Sequence, residues 1–158
     1  MKKINIITLG CSKNTVDSEH LAAQLHEYGY TIVFDSDRTD ADVVVINTCG
    51  FIGDAKQESI DTILRAAELK TAGKIEELFV VGCLSQRYAD ELRPELPEVD
   101  DFFGVNDWAG IVERLGAKYC NENETKRELS TPSHYAYLKI SEGCNWMCGY
   151  CAIPLIRG

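Results

Sequence analysis

The sequence predicts an α/β domain built on a doubly wound parallel sheet, and three observations predict it. Short β-branched runs alternate with segments of helical period, the connections between them are short, and Val43-Val44-Val45-Ile46 is a continuous apolar run. Such a run marks a strand covered on both faces, as in a sheet flanked by helices. In chain order, Ile4 to Thr8 reads as the first strand. A helix follows with Leu21, Leu25 and Tyr28 on one face, and Tyr30 to Phe34 completes a βαβ unit. The acidic run Asp35 to Asp42 reads as a solvated loop before the Val43 strand. The clearest helix comes next. Asp54 is expected to cap it, Gln57 sits at its third position, and Ile60, Ile63, Leu64 and Ala67 follow the i, i+3, i+4, i+7 spacing toward a stop near Gly73. Leu78 to Val81 predicts a strand, Arg87 to Leu92 a shorter helix ending before Pro94, Phe102 to Val105 a last strand and Trp108 to Leu115 a closing helix.

The polar stretch Asn121 to Arg127 and the Ser130-Thr131-Pro132-Ser133 break predict a linker over 120–133 after a domain over 1–119. Beyond it, Tyr135 to Ile140 alternates like a strand and runs into a cysteine-rich loop, so 134–158 reads as the opening of a second domain whose remainder is absent.

Composition narrows the function classes. The 158 residues carry 25 acids against 16 bases, a formal charge of −9, which opposes tracking of a phosphate backbone, so no direct nucleic-acid binding is expected. No apolar run approaches the roughly 20 residues that cross a bilayer. The start of the chain loosely imitates a signal peptide, but Asn5 interrupts its short apolar stretch. Seven cysteines without an export signal favour metal or redox chemistry over a disulfide framework, and a cytoplasmic protein.

The cysteines fall into two constellations. Cys11, Cys49 and Cys83 each follow a predicted strand, in the contexts Leu9-Gly10-Cys11, Asn47-Thr48-Cys49 and Val81-Gly82-Cys83. In an open parallel sheet the carboxyl ends of the strands share one edge, where such folds place their sites, so three thiols are expected to meet there. Gly10, Gly50 and Gly82 are expected to leave room for an inorganic group. The bland alternative is that each cysteine is a small apolar residue at a buried strand end. The second constellation is Cys144, Cys148 and Cys151, a C-x3-C-x2-C run on one loop. Three thiolates at that spacing suit a cubane iron–sulfur cluster with one iron left open. Zinc, with Cys120 or His134 as a fourth ligand, is the structural alternative. Gly10 to Asn14 joins a strand to a helix but lacks the phosphate-loop pattern. Cys120 receives no role, and His20, His26 and His134 have no motif partner.

Cys144, Cys148 and Cys151, with Tyr150 before the last, resemble the signature of radical S-adenosylmethionine enzymes. Gly10-Cys11, Asn47-Thr48-Cys49 and Gly82-Cys83 resemble the three-cysteine domain of the methylthiotransferases within that group, over essentially the whole chain. The strings Cys11 to Glu19 and Asn47 to Ile52 are similar to the branch that methylthiolates the β-carbon of an aspartate in protein twelve of the small ribosomal subunit. The resemblance implies a flavodoxin-like first domain and the truncated start of a radical (β/α) barrel. It implies two 4Fe-4S clusters. One, on Cys144, Cys148 and Cys151, would chelate S-adenosyl-L-methionine beside Tyr150; the other, on Cys11, Cys49 and Cys83, would carry the transferred sulfur. It further implies a ribosomal-protein substrate, an electron donor such as flavodoxin, and an incomplete, inactive piece in the absence of the barrel. The alternatives are the branch that modifies adenosine in transfer RNA and a flavodoxin-like flavin-binding module.

Overall fold

The structure, a computed structural model, describes residues 2–38 and 40–158. Thr39, inside the Asp35–Asp42 run, lies outside the described residues. Strands β1 (Lys3–Thr8), β2 (Thr31–Phe34), β3 (Val43–Thr48), β4 (Glu77–Gly82) and β5 (Asp101–Phe102) form one sheet in the order β2-β1-β3-β4-β5, with every pairing parallel. Side chains on successive strand residues point to opposite faces, and this divides the core in two. Ile4, Ile6, Val43, Val45, Phe79 and Val81 meet Leu21 and Leu25 of α1 (Ser12–Glu27) and Ile111 and Val112 of α4 (Trp108–Arg114). The alternate residues Val44, Ile46, Leu78 and Val80 meet Ile63, Ala66 and Ala67 of α2 (Gly53–Thr71) and Leu84 of α3 (Cys83–Glu95). All six residues of β3 are buried, as a central strand between two helical layers requires.

The elements depart from the sequence expectations in several places. Asp54 does not cap α2; the cap position is Ile52, without a side-chain bond, and Asp54 lies in the first turn, where its charge favours the positive end of the helix dipole. Helix α3 begins at Cys83 and continues past Pro94, well beyond the expected 87–92, because the turn at Gly82 leads straight from β4 into it. The last strand is two residues long. Residues 135–140 form no strand. Leu138 and Ile140 are 81% and 88% exposed, and alternation without a neighbouring strand leaves backbone groups to water. Tyr28 and Leu64, expected on buried faces, are exposed.

Among its described residues the Asp35–Asp42 connection between β2 and β3 holds no helix. It is also more than a solvated loop, since the Asp35 carboxylate accepts from Thr8 N at 2.8 Å and that of Asp42 from Lys3 N at 2.7 Å. The polar stretch near Arg127 packs along α1. Gln24 bonds both backbone groups of Cys120, at 2.9 and 3.1 Å, and the buried Glu19 carboxylate accepts from Arg127 and from the Ser130 N–H and hydroxyl. No helix among the described residues is long and apolar enough to cross a membrane.

Candidate functional site

Strands β1, β3 and β4 end at one level: in the parallel register Thr8 pairs with Asn47 and Thr48 with Gly82. Each strand is followed within three residues by its cysteine. Cys11 occupies the cap position of α1, Cys49 follows β3, and Cys83 opens α3. The three thiols line a single cavity of about 800 Å³. Cys11 is exposed, Cys49 intermediate and Cys83 buried, so the row runs from solvent into the fold.

Polar side chains lace the strand ends together. Asn14 Nδ2 donates to the carbonyls of Leu9 at 2.8 Å and Thr48 at 3.1 Å, bridging β1 to β3. Asn47 Nδ2 donates to the Asn14 carbonyl and to Ser18 Oγ, and the Thr48 hydroxyl donates to the Val81 carbonyl at 2.6 Å, bridging β3 to β4. Ser59 brackets Cys49: its hydroxyl donates to the Cys49 carbonyl at 3.0 Å, and Cys49 N donates back to Ser59 Oγ at 3.1 Å. The glycines serve this lacing more than the cavity. A Cβ on Gly82 would lie 2.4 Å from Asn47 Oδ1, and one on Gly50 would lie 2.7 Å from the Leu84 backbone. A Cβ on Gly10 would press on Cys49, at 2.7 Å from its Cβ and 3.0 Å from its Sγ.

The second constellation is arranged differently. Cys144 enters the same cavity as the rim thiols, whereas Cys148 and Cys151 are not among its lining residues. Cys144 N donates to the Gly158 carbonyl at 2.9 Å and Cys151 N to the Cys148 carbonyl at 3.0 Å, so the loop is closed by its own backbone. Tyr150 is 93% exposed and lies apart from that cavity. Beyond the loop, α5 (Ile153–Arg157) turns back under the rim, and Ile156 packs with Cys83 and Val105.

Arg157 joins the two constellations. Its side chain is 2% exposed; Nη2 donates to Asn14 Oδ1 at 2.6 Å and to Asp17 Oδ2 at 3.0 Å, and Nη1 donates to Glu142. Lys139 completes a quartet by bonding Asp17 at 2.5 Å and Glu142 at 2.6 Å. Burial pushes the Cys83 thiol up, the Arg157 guanidinium pulls it down, and negative charge on Cys49 and Cys11 adds to the rise; the balance leaves it above the ordinary value. Sequence reasoning missed Asn14, Asp17 and Arg157. The available signal was on α1, where Asn14, Asp17 and Ser18 continue the stripe of Leu21 and Leu25 and are buried with them.

Among the described residues no group of three or more His, Cys, Asp or Glu side chains converges as a single bound ion would require. A cubane has a different demand: its iron atoms take thiolates at separate corners. The rim meets that demand in kind. It offers three soft thiols around a cavity bordered by Gly10, with two cations, Lys13 and Arg157, and one carboxylate, Glu58, on its wall.

The chain is 57% identical over 157 residues to "Ribosomal protein uS12 methylthiotransferase RimO" of Bacteroides fragilis, covering 99% of this chain and 36% of that protein. It is 53% identical over 156 residues to the protein of that name from Porphyromonas gingivalis and 54% identical over 156 residues to that from Cytophaga hutchinsonii, again covering 99% of this chain and 36% of each relative. The chain therefore spans about a third of the length of these curated relatives. A family model matches residues 3–104, from the start of β1 to just past β5 and with all three rim cysteines inside it. The chain belongs to the family described as Uncharacterized protein family UPF0004, and it is homologous to the part of the RimO methylthiotransferases that it matches.

Proposed function

We propose that this chain forms the sulfur-carrying part of a radical methylthiotransferase that modifies an aspartate of ribosomal protein uS12. Residues 1–119 would form the carrier domain, 120–133 the connection and 134–158 the opening of the radical domain. Cys11, Cys49 and Cys83 would hold one 4Fe-4S cluster. Cys144, Cys148 and Cys151 would hold a second, with Tyr150 beside S-adenosyl-L-methionine. The observation that carries the reading is the gathering of three cysteines from three separate strand ends around one cavity that Cys144 also enters, in a chain 57% identical to a RimO protein.

When bound, these groups supply radical and sulfur chemistry at an unactivated carbon, a task beyond acid or base side chains. The chain's own residues prepare the place for it. A thiol must lose its proton to ligate a metal; burial opposes this at Cys83, and the Arg157 guanidinium favours it. Leu9, Phe51, Ile52 and Ala55 give the cavity an apolar wall, and Lys13 and Arg157 set positive charge against the thiolates. The net charge of −9 suits a protein substrate rather than a bare RNA surface. A cytoplasmic location and a reducing partner such as a flavodoxin complete the proposal.

Anaerobic reconstitution with iron and sulfide tests the site. The Cys49→Ala variant is expected to lose the brown absorption assigned to the rim cluster, and an unchanged spectrum would refute the assignment. Mass spectrometry of ribosomal proteins and digested transfer RNA from a deletion strain tests the substrate. The expected loss is from uS12, and a loss confined to transfer RNA would move the substrate to the adenosine-modifying branch.

A further inference from the structure

The pair Arg157–Asp17 is the most deeply buried ion pair among the described residues, with side chains 2% and 3% exposed. Removing two charges from water costs several kcal/mol per ion before their attraction returns any of it. Fastening the 139–158 segment does not require that cost. Lys139 already bonds Asp17, Lys13 Nζ donates to the Glu142 carbonyl at 2.6 Å, and Ile156 packs with Cys83 and Val105. What distinguishes Arg157 is its place. It shares the cavity wall with Cys11, Cys49, Cys83 and Cys144, and it donates to the same Asn14 Oδ1 that lies 4.0 Å from Cys83 Sγ. Its neighbour Ile156 packs on Cys83. Two carboxylates and an amide hold the guanidinium, so its distance from the rim is set by the fold and not by side-chain freedom.

We infer that Arg157 is a positioning residue for the rim cluster: it fixes the Cys83 side of the site, raises the cluster's reduction potential by placing a buried positive charge beside it, and locks the Cys144 loop to the same rim. The inference rests on the proposed ligation by Cys11, Cys49 and Cys83. Its physical basis is that cluster potentials follow local net charge and hydrogen bonding. A fixed cation favours the reduced, more negative state, and Asp17 and Glu142 partly cancel that cation.

The test is a redox titration followed by electron paramagnetic resonance. The chain is reconstituted anaerobically in a Cys144→Ala/Cys148→Ala/Cys151→Ala background, so that only the rim can bind a cluster, with iron and sulfide counted for each variant. Arg157→Gln is expected to disfavour reduction about tenfold, a shift of about 59 mV to more negative potential for one electron. Arg157→Lys should recover part of the shift. Asp17→Asn, which leaves Arg157 less neutralised, should shift the potential the opposite way. A role confined to holding the segment in place would move Arg157→Gln and Asp17→Asn in the same direction, through looser packing, or leave both potentials unchanged, and either result overturns the inference. If Arg157→Gln does not fold, Asp17→Asn decides alone, an unchanged or lowered potential being the overturning outcome. Failure of the underlying reading looks different: the background protein then binds no iron at the rim, and the inference falls with the ligand assignment.

Discussion

The two cysteine constellations of this chain are built on opposite principles. Cys11, Cys49 and Cys83 are separated by 38 and 34 positions, and the hydrogen-bonded register of three parallel strands brings them to one rim. Cys144, Cys148 and Cys151 are neighbours in sequence on a loop with no strand behind it. Ion pairs from Lys139 and Arg157 to Asp17 of α1, with the packing of Ile156 under Cys83, hold that loop in place. The first arrangement inherits the cooperativity of the sheet, because misplacing one thiol means disrupting the core. The second depends on a few contacts made outside the sheet. Groups whose spacing must be kept belong on the rigid element, and segments that move are drawn from places where local opening is cheap.

The largest way to break this contrast lies at Gly82. Its φ of +95° and ψ of −158° lie in a region essentially reserved for glycine. A Cβ there would also meet Asn47 Oδ1 at 2.4 Å and the Thr48 carbonyl at 2.7 Å. Backbone strain of about 1–3 kcal/mol and overpacking of about 1–3 kcal/mol both apply. Gly82→Ala is therefore expected to cost roughly 3 kcal/mol in a urea denaturation curve and to scatter the rim thiols. Gly149, on the second loop, has nothing within 4 Å of an added Cβ. Gly149→Ala should stay within about 0.5 kcal/mol. Equal losses at the two positions would mean that the loop is as integral to the fold as the rim.

The same contrast explains what could be read in advance. The rim was legible because its signals are local and regular: a β-branched run ends, a small residue or turn follows, and then a cysteine, three times in a chain whose alternation already implied a parallel sheet. The all-parallel order and the two helical layers follow from the same patterns. The alternation at Tyr135 to Ile140 carried an equally local signal and misled, since a strand needs a partner and periodicity does not say whether one is present. The ties through Arg157, Asp17 and Glu142 were out of reach for another reason. Contacts between positions 140 residues apart have no local signature, and buried acids on α1 read as ordinary polar positions until the fold covers them.

An intermediate effect concerns the path between the two regions, where Glu19 anchors Arg127 and Ser130 against α1. Burial pushes the Glu19 carboxyl up, but hydrogen bonds from Arg127 and Ser130 outweigh it and hold the group below its ordinary value. A carboxylate lowered in the folded state contributes stability that is fully present above its unfolded value, about 4.3. That contribution is lost as pH falls through the folded value. The urea midpoint should therefore decline more steeply below about pH 4.3 in the wild type than in Glu19→Gln. The substitution itself is expected to cost about 1.5–3 kcal/mol at neutral pH, the range for a hydrogen bond to a charged group. Parallel pH profiles for the two proteins would show that Glu19 makes no such contribution.

The smallest expected effect is also the sharpest test of how the second region is held. Leu138 and Ile140 are 81% and 88% exposed, so removing their apolar surface gives up almost no burial. The adjacent Lys139 carries the bonds to Asp17 and Glu142. If ion pairs and not apolar packing hold this stretch, Leu138→Ser together with Ile140→Ser should change the unfolding free energy by no more than about 0.5 kcal/mol. Leu21→Ala, on the buried face of α1, should cost about 2–5 kcal/mol in the same assay. A large loss from the double serine variant would require these side chains to be covered in solution. The stretch would then be packed like the sheet, and the division between a rim built by register and a loop held by charge would no longer describe the molecule.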